Sequence, residues 1–112
     1  MSTISTHVLD TARGRPAAGV RVALEARAGD GWERVGGGVT DADGRVADLA
    51  TGGTPGAGAY RLTFATGEWL AAAGTAGFYP RVTVEFLVED PQAHYHVPLL
   101  LSPYGYSTYR GS

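Results

Sequence analysis

The sequence predicts an all-β protein: an antiparallel β-sandwich of seven to eight short strands with one short helix. Three observations predict it. The 112 residues suit one domain, here residues 1–112. Seventeen Gly and six Pro interrupt the chain every few residues, as turns between short strands do. Between these turns, apolar and polar residues alternate with the two-residue period of a half-buried strand.

Each predicted strand rests on this alternation or on a short apolar run between turn signals. In Val20 to Ala26 and in Val82 to Val88, every second residue is apolar. The predicted strands, in order, are Ile4 to Asp10, Val20 to Ala26, Trp32 to Thr40, Val46 to Leu49, Ala59 to Ala65, Arg81 to Glu89, His94 to Leu101 and Tyr106 to Tyr109. Turns are predicted at 13–16, 29–31, 40–45, 51–58, 90–92 and 102–105.

The helix is predicted between Thr66 and Gly74, a segment that contains Leu70 and three consecutive Ala. Thr66 is of the residue type that caps a helix N-terminus, and Gly74 is of the type that ends a helix. The segment spans about two turns.

The composition excludes several kinds of chemistry. The chain has no Cys, so disulfides, thiolate nucleophiles and Cys-ligated metals are excluded. Its nine basic residues are all Arg, so a Schiff-base lysine and a Walker-A lysine are excluded too. The net charge of −2 and the lack of a basic block predict no nucleic-acid partner. No targeting signal and no membrane-spanning stretch is visible, which predicts a cytoplasmic protein without a membrane partner.

The three His are the main candidates for proton transfer near neutral pH. His94 and His96 lie two residues apart on a predicted strand, so both point to one face, while Tyr95 and Val97 point to the core. Two ordinary solvated histidines would give the same pattern. A zinc site is the alternative, with His7 as a third ligand and an open water position.

The C-terminal segment from Leu101 to Ser112 is unusually aromatic. Three Tyr fall within six positions, and the last of them, Tyr109, is three residues from the end. Aromatic residues at this density are normally buried or lie at an interface. A poorly ordered terminus, in contrast, is not expected to be rich in aromatic residues.

Two parts of the chain carry a resemblance to a known family: Ser5 to Asp10 followed by Gly14 to Ala17, and His94 to Thr108. The first resembles the opening strand and turn of the transthyretin-related proteins, the second resembles their closing strands, and the resemblance covers essentially the whole chain. The terminal tetrapeptide Tyr109 to Ser112 is the one that marks the hydrolase branch of this family.

The resemblance implies a transthyretin-like sandwich, a homotetramer built as a dimer of dimers, and a site in the channel between dimers. It also implies hydrolysis of a small-molecule substrate, 5-hydroxyisourate, in urate degradation, to 2-oxo-4-hydroxy-4-carboxy-5-ureidoimidazoline. His7, Arg45 and His96 match the family's catalytic positions. His7, Arg45, Tyr109 and Ser112 are the expected substrate-binding residues, and no metal or cofactor is expected. His94 receives no role.

Three alternatives remain open on these residues. One is a transthyretin-like carrier without catalysis, although two titratable His and an Arg would be out of place in an apolar hormone channel. A zinc-dependent hydrolase that uses His7, His94 and His96 is the second. The third is a purely structural domain, which would leave the C-terminal aromatics unexplained.

Overall fold

A computed structural model describes residues 3–112 of the chain. Nine strands and one helix follow one another along these residues, with the helix between the sixth and the seventh strand. The strands are β1 Thr3–Asp10, β2 Arg15–Pro16, β3 Arg21–Ala28, β4 Gly31–Val39, β5 Arg45–Val46, β6 Gly58–Phe64, β7 Val82–Val88, β8 His94–Ser102 and β9 Gly105–Thr108; the helix is α1 Thr66–Ala72.

The strands form two sheets. The five-stranded sheet has the order β2-β1-β8-β9, with β5 also paired to β1. The four-stranded sheet has the order β4-β3-β6-β7 and is antiparallel throughout. The predicted all-β sandwich with one short helix is therefore confirmed, with the addition of the two-residue strand β2 inside the predicted turn 13–16.

One pair of strands departs from the predicted antiparallel arrangement. β1 and β8 run parallel in an unbroken register from Thr3 opposite His94 to Asp10 opposite Leu101. A parallel pair requires a long crossover between its strands, and here the whole second sheet lies between them in sequence. This pair is the centre of the five-stranded sheet.

The core lies between the sheets and follows the alternation along each strand. The fully buried large side chains come from both sheets: Tyr60, Phe64, Ile4, Leu24, Leu49, Leu62, Leu99, Val8, Val20, Val22, Val82 and Val88. On β8, Tyr95, Val97, Leu99 and Leu101 are buried, as the alternation predicts. The residues between them therefore lie on the outer face of the sheet.

The predicted strand Val46 to Leu49 is only partly a strand, because β5 ends at Val46. Leu49 is buried and bonds to both sheets instead: its N–H donates to Ile4 O and its O accepts from Gly37 N, both at 2.9 Å. This contact also explains Gly36, since a Cβ there would lie 1.8 Å from Leu49 O.

At the two ends of α1, the predicted N-cap is wrong and the predicted C-terminal glycine is confirmed. Thr66 is not the N-cap: Ala65 occupies that position, and the Thr66 hydroxyl is buried with no hydrogen-bond partner among the described residues. Gly74 does end the helix. Its φ is +76°, its N–H donates to Ala71 O, and the next N–H, of Thr75, donates to Leu70 O, which is the Schellman arrangement.

Within residues 3–112, no helix combines the length and the apolar character that crossing a membrane requires.

Candidate active site

The outer face of the five-stranded sheet carries the histidines. In the register of β1 with β8, Thr3 lies beside His94, Ser5 beside His96 and His7 beside Pro98. Neighbours in a parallel pair point to the same face of the sheet. Ile4, Thr6 and Val8 fill the core on the other side, so Ser5 and His7 must point outward with the two histidines of β8.

Arg45 joins this face through the turn that precedes it. β5 pairs antiparallel with β1, which places Arg45 directly opposite His7. Asp41 shapes the turn, because its Oδ1 accepts the N–H of Asp43 at 2.9 Å and of Arg45 at 3.0 Å. Gly44 is required there: its φ is +76°, and a Cβ would lie 2.4 Å from Val8 O.

The C-terminus returns to the same place. Gly111 forms a bridge to His96, with its N–H donating to His96 O at 2.8 Å. A Cβ on Gly111 would lie 2.5 Å from His96 Cδ2, so the backbone of the tail rests directly on the imidazole ring. This contact accounts for Gly at this position and carries Ser112 onto the outer face of the sheet.

These elements line a pocket of about 310 Å³ that is open to solvent. Its lining residues are Ser5, Thr6, Arg45, Val46, Ala47, His94, His96 and Ser112. The structure thus brings together three of the predicted site residues, Arg45, His96 and Ser112. His7 lies at the side of the pocket rather than in its lining, opposite Arg45.

The pocket favours the neutral form of His96. Its pKa is lowered from 6.5, first by partial burial and then by the charges of His7, His94 and Arg45. Because these effects all oppose protonation, His96 is a neutral imidazole near pH 7. A neutral imidazole can accept a proton from water, which the cation cannot.

A chain of hydrogen bonds leads from His96 across the two strands. Ser5 Oγ lies 2.7 Å from His96 Nδ1 and 2.9 Å from His94 Nε2. The other nitrogen of that ring, His94 Nδ1, lies 2.5 Å from Thr3 Oγ1. Sequence reasoning missed Thr3 and Ser5 and left His94 without a role, because these contacts exist only in the register of β1 with β8.

Tyr109 lies away from this pocket. Its side chain is 56% exposed and lines a second pocket, beside Phe86, Tyr95 and Arg110. The guanidinium of Arg110 covers the ring of Tyr95 with 4.6 Å between Cζ and the ring centroid, which anchors the tail to the core. In a single chain, therefore, Tyr109 does not meet His96 or Arg45.

The described residues also bear on the zinc alternative. Among residues 3–112, no group of three or more His, Asp or Glu is arranged to hold a metal ion. His94 and His96 are instead bound to the Ser5 hydroxyl that lies between them.

Comparison with known proteins places this architecture in a family. The model of the HIUase/Transthyretin family matches residues 4–111. The 5-hydroxyisourate hydrolase of Caulobacter vibrioides is 47% identical, with full coverage of both chains, and that of Salmonella typhimurium is 46% identical over 97% of this chain and 80% of its own.

Solved structures agree with this result. The 5-hydroxyisourate hydrolase of Klebsiella pneumoniae superposes with a TM-score of 0.88 at 43% identity and covers both chains fully. Sea bream transthyretin, solved in complex with thyroxine, has the same TM-score at 32% identity, over 97% of this chain and 94% of its own. The expected transthyretin-like sandwich is confirmed, and the chain belongs to the HIUase/Transthyretin family.

Proposed function

We propose that this protein hydrolyses 5-hydroxyisourate to 2-oxo-4-hydroxy-4-carboxy-5-ureidoimidazoline. The observation that carries the proposal is the pocket in which His96, Arg45 and Ser112 meet on the outer face of the sheet. This pocket contains both a neutral imidazole, that of His96, and a permanent cation, the guanidinium of Arg45. Relatives at 46–47% identity that bear the name 5-hydroxyisourate hydrolase support the same activity.

The chemistry follows from the groups present. Water adds to a ring carbonyl, the C–N bond breaks, and the leaving nitrogen takes up a proton. His96 or His7 removes the proton from the attacking water. Arg45 holds the anionic substrate and the developing oxyanion with donors that do not lose their charge. Ser112 lines the same pocket, and we propose that its hydroxyl donates a hydrogen bond to the substrate. The steps proposed here use these side chains and call for no metal or cofactor.

We also propose that the working unit is a homotetramer, a dimer of dimers. The pocket with His96 is open, so one chain does not exclude water from it. Tyr104 and Tyr109 are 75% and 56% exposed, which is a large apolar surface for residues of this size. β9 is an edge strand that holds free backbone groups. Tyr109 would bind substrate only in a site completed by a neighbouring subunit.

A small-molecule carrier is the second candidate, since sea bream transthyretin shares the fold. The charged and titratable lining of the pocket argues against it, because an apolar ligand would have to desolvate Arg45. The cytoplasmic location and the single-domain organisation stay predictions.

The site assignment is tested by replacing its residues one at a time. The substrate is generated from urate with urate oxidase, and its ultraviolet absorbance is followed. We expect His7→Ala, Arg45→Ala and His96→Ala each to lower kcat/KM by about 10²-fold or more. Arg81→Ala is the matched control, since Arg81 is exposed, directly precedes β7 of the other sheet and has no ion pair among the described residues.

Full activity in all three site variants would refute the assignment. Loss of activity with EDTA and its return with zinc would favour the zinc-dependent alternative. A carrier would bind a transthyretin ligand such as thyroxine and leave the rate of substrate decay unchanged.

A further inference from the structure

The hydroxyl of Ser5 lies between two imidazole rings, and the ring to which it donates its single proton determines the tautomer of His96. Ser5 is 8% exposed and contacts His96 Nδ1 at 2.7 Å and His94 Nε2 at 2.9 Å. A serine hydroxyl donates one hydrogen and accepts at two lone pairs, while a neutral imidazole has one donor and one acceptor. Ser5 can therefore donate to only one of the two histidines.

The direction of this chain decides which nitrogen of His96 is free. If Ser5 donates to His96 Nδ1, the ring hydrogen of His96 sits on Nε2, and the ring has no lone pair left for water. If Ser5 donates to His94 Nε2, His96 Nδ1 donates to Ser5 Oγ and Nε2 keeps its lone pair. His94 then carries its hydrogen on Nδ1, where Thr3 Oγ1 lies 2.5 Å away and accepts it.

We infer that Ser5 is a positioning residue for His96. Its oxygen accepts the hydrogen on His96 Nδ1, which leaves His96 Nε2 free to take a proton from water. His94 accepts the hydrogen of the Ser5 hydroxyl and so holds the hydroxyl in this orientation. Arg45 favours this arrangement, since a guanidinium in the same pocket attracts a lone pair and repels an N–H. Proton uptake at Nε2 then requires no hydroxyl to rotate, because Nδ1 already donates to Ser5.

The inference rests on the proposed hydrolysis and adds to it in two ways. It selects His96 over His7 as the base, since no hydrogen bond fixes the tautomer of His7 among the described residues. It also gives His94 a role, which is to accept the Ser5 hydrogen. The groups that face His96 are His7 from β1, Arg45 from β5, His94 from β8 and Ser112 from the tail, and all but Ser112 lower its pKa.

The tautomer of His96 is the direct test, and it needs no substrate. Nitrogen-15 spectra of the imidazoles of the intact protein would be recorded near pH 8, where a His with a pKa below 6.5 is neutral. We expect hydrogen on Nδ1 and a bare Nε2 in the wild type and in Ser5→Thr, which keeps the hydroxyl. In Ser5→Ala, hydrogen should appear on Nε2. Thr83→Ala removes an exposed hydroxyl from the opposite sheet and should leave the spectrum unchanged.

Turnover gives the second readout. Ser5→Ala should lower kcat by about tenfold, the effect of one lost hydrogen bond, with a smaller change in KM, and Ser5→Thr should restore kcat. Hydrogen on Nε2 of the wild-type His96, or the same tautomer in wild type and Ser5→Ala, would overturn the inference. If the wild type does not accelerate substrate decay, the proposed function fails, and the spectra still decide the role of Ser5.

Discussion

Replacement of Gly111 by Ala tests whether the C-terminal tail positions the imidazole of His96. A Cβ at this residue would lie 2.5 Å from His96 Cδ2, 3.2 Å from His96 Cγ and 3.4 Å from Pro98 Cγ. Ordinary van der Waals contact begins at 3.4 Å, so the ring or the tail must move by about 0.9 Å. Either movement alters the pocket between His96 and Ser112.

The expected effect falls on catalysis more than on stability. A misplacement of about 1 Å costs up to roughly 10²-fold in rate, so kcat/KM of Gly111→Ala should fall by about 10- to 100-fold. The bond from Gly111 N–H to His96 O contributes about 1 kcal/mol to the free energy of unfolding. Its loss would lower Tm by about 4 °C in a domain of this length.

Gly52→Ala is the matched control. A Cβ on Gly52 would have no atom within 4 Å, and Gly52 is not among the glycines with positive φ. This variant should keep both the rate of substrate decay and Tm. Wild-type turnover by a folded Gly111→Ala protein would refute the claim that this tail holds the ring in place.

Two further predictions concern a buried hydroxyl and the pH response. Thr66→Val should raise the free energy of unfolding by about 1–2 kcal/mol, because the Thr66 hydroxyl is buried without a partner among the described residues; Thr40→Val should lower it, since Thr40 Oγ1 donates to Ala17 O at 2.6 Å. A Tm scan checks both, and a lower Tm for Thr66→Val would contradict the first. The pKa of His96 is lowered in the folded state, so the unfolded chain binds a proton at this residue more readily than the folded chain does. The contribution of His96 to the free energy of unfolding is therefore complete above pH ~6.5 and is lost as the pH falls from there through the pKa of the folded state. Tm should therefore fall less steeply with acid in His96→Gln than in the wild type, and the acid limb of kcat/KM should lie below pH ~6.5; an acid limb above that value would contradict the lowered pKa.

The fold was largely predictable because alternation reports which face of a strand is buried. Of the predicted strand Val20 to Ala26, all but Val20 lies in β3, and His94 to Leu101 lies in β8; both have the predicted buried faces. Alternation does not report strand partners, so the parallel pairing of β1 with β8 was not predicted. The segment from Val46 to Leu49 has the composition of a strand, but the backbone of Leu49 is hydrogen-bonded to one strand of each sheet. These partners are distant in sequence, so the local pattern does not predict them.

The site was predictable in part for a similar reason. Spacing alone placed His94 and His96 on one face, and the resemblance to a family supplied Arg45 and Ser112, which share the pocket with His96. Ser5 contacts His96 from 91 residues away in sequence, so no local pattern identifies it. The position of Tyr109 outside the pocket likewise depends on how the tail crosses β8.

The central claim is tested most directly by the decay of 5-hydroxyisourate itself. Urate oxidase generates the compound in solution, and its ultraviolet absorbance is followed with and without this protein. We predict that the wild type accelerates the decay in proportion to its concentration and that Arg45→Ala and His96→Ala each accelerate it about 10²-fold less or more weakly still. A decay rate that stays the same on addition of the folded wild-type protein would contradict the account.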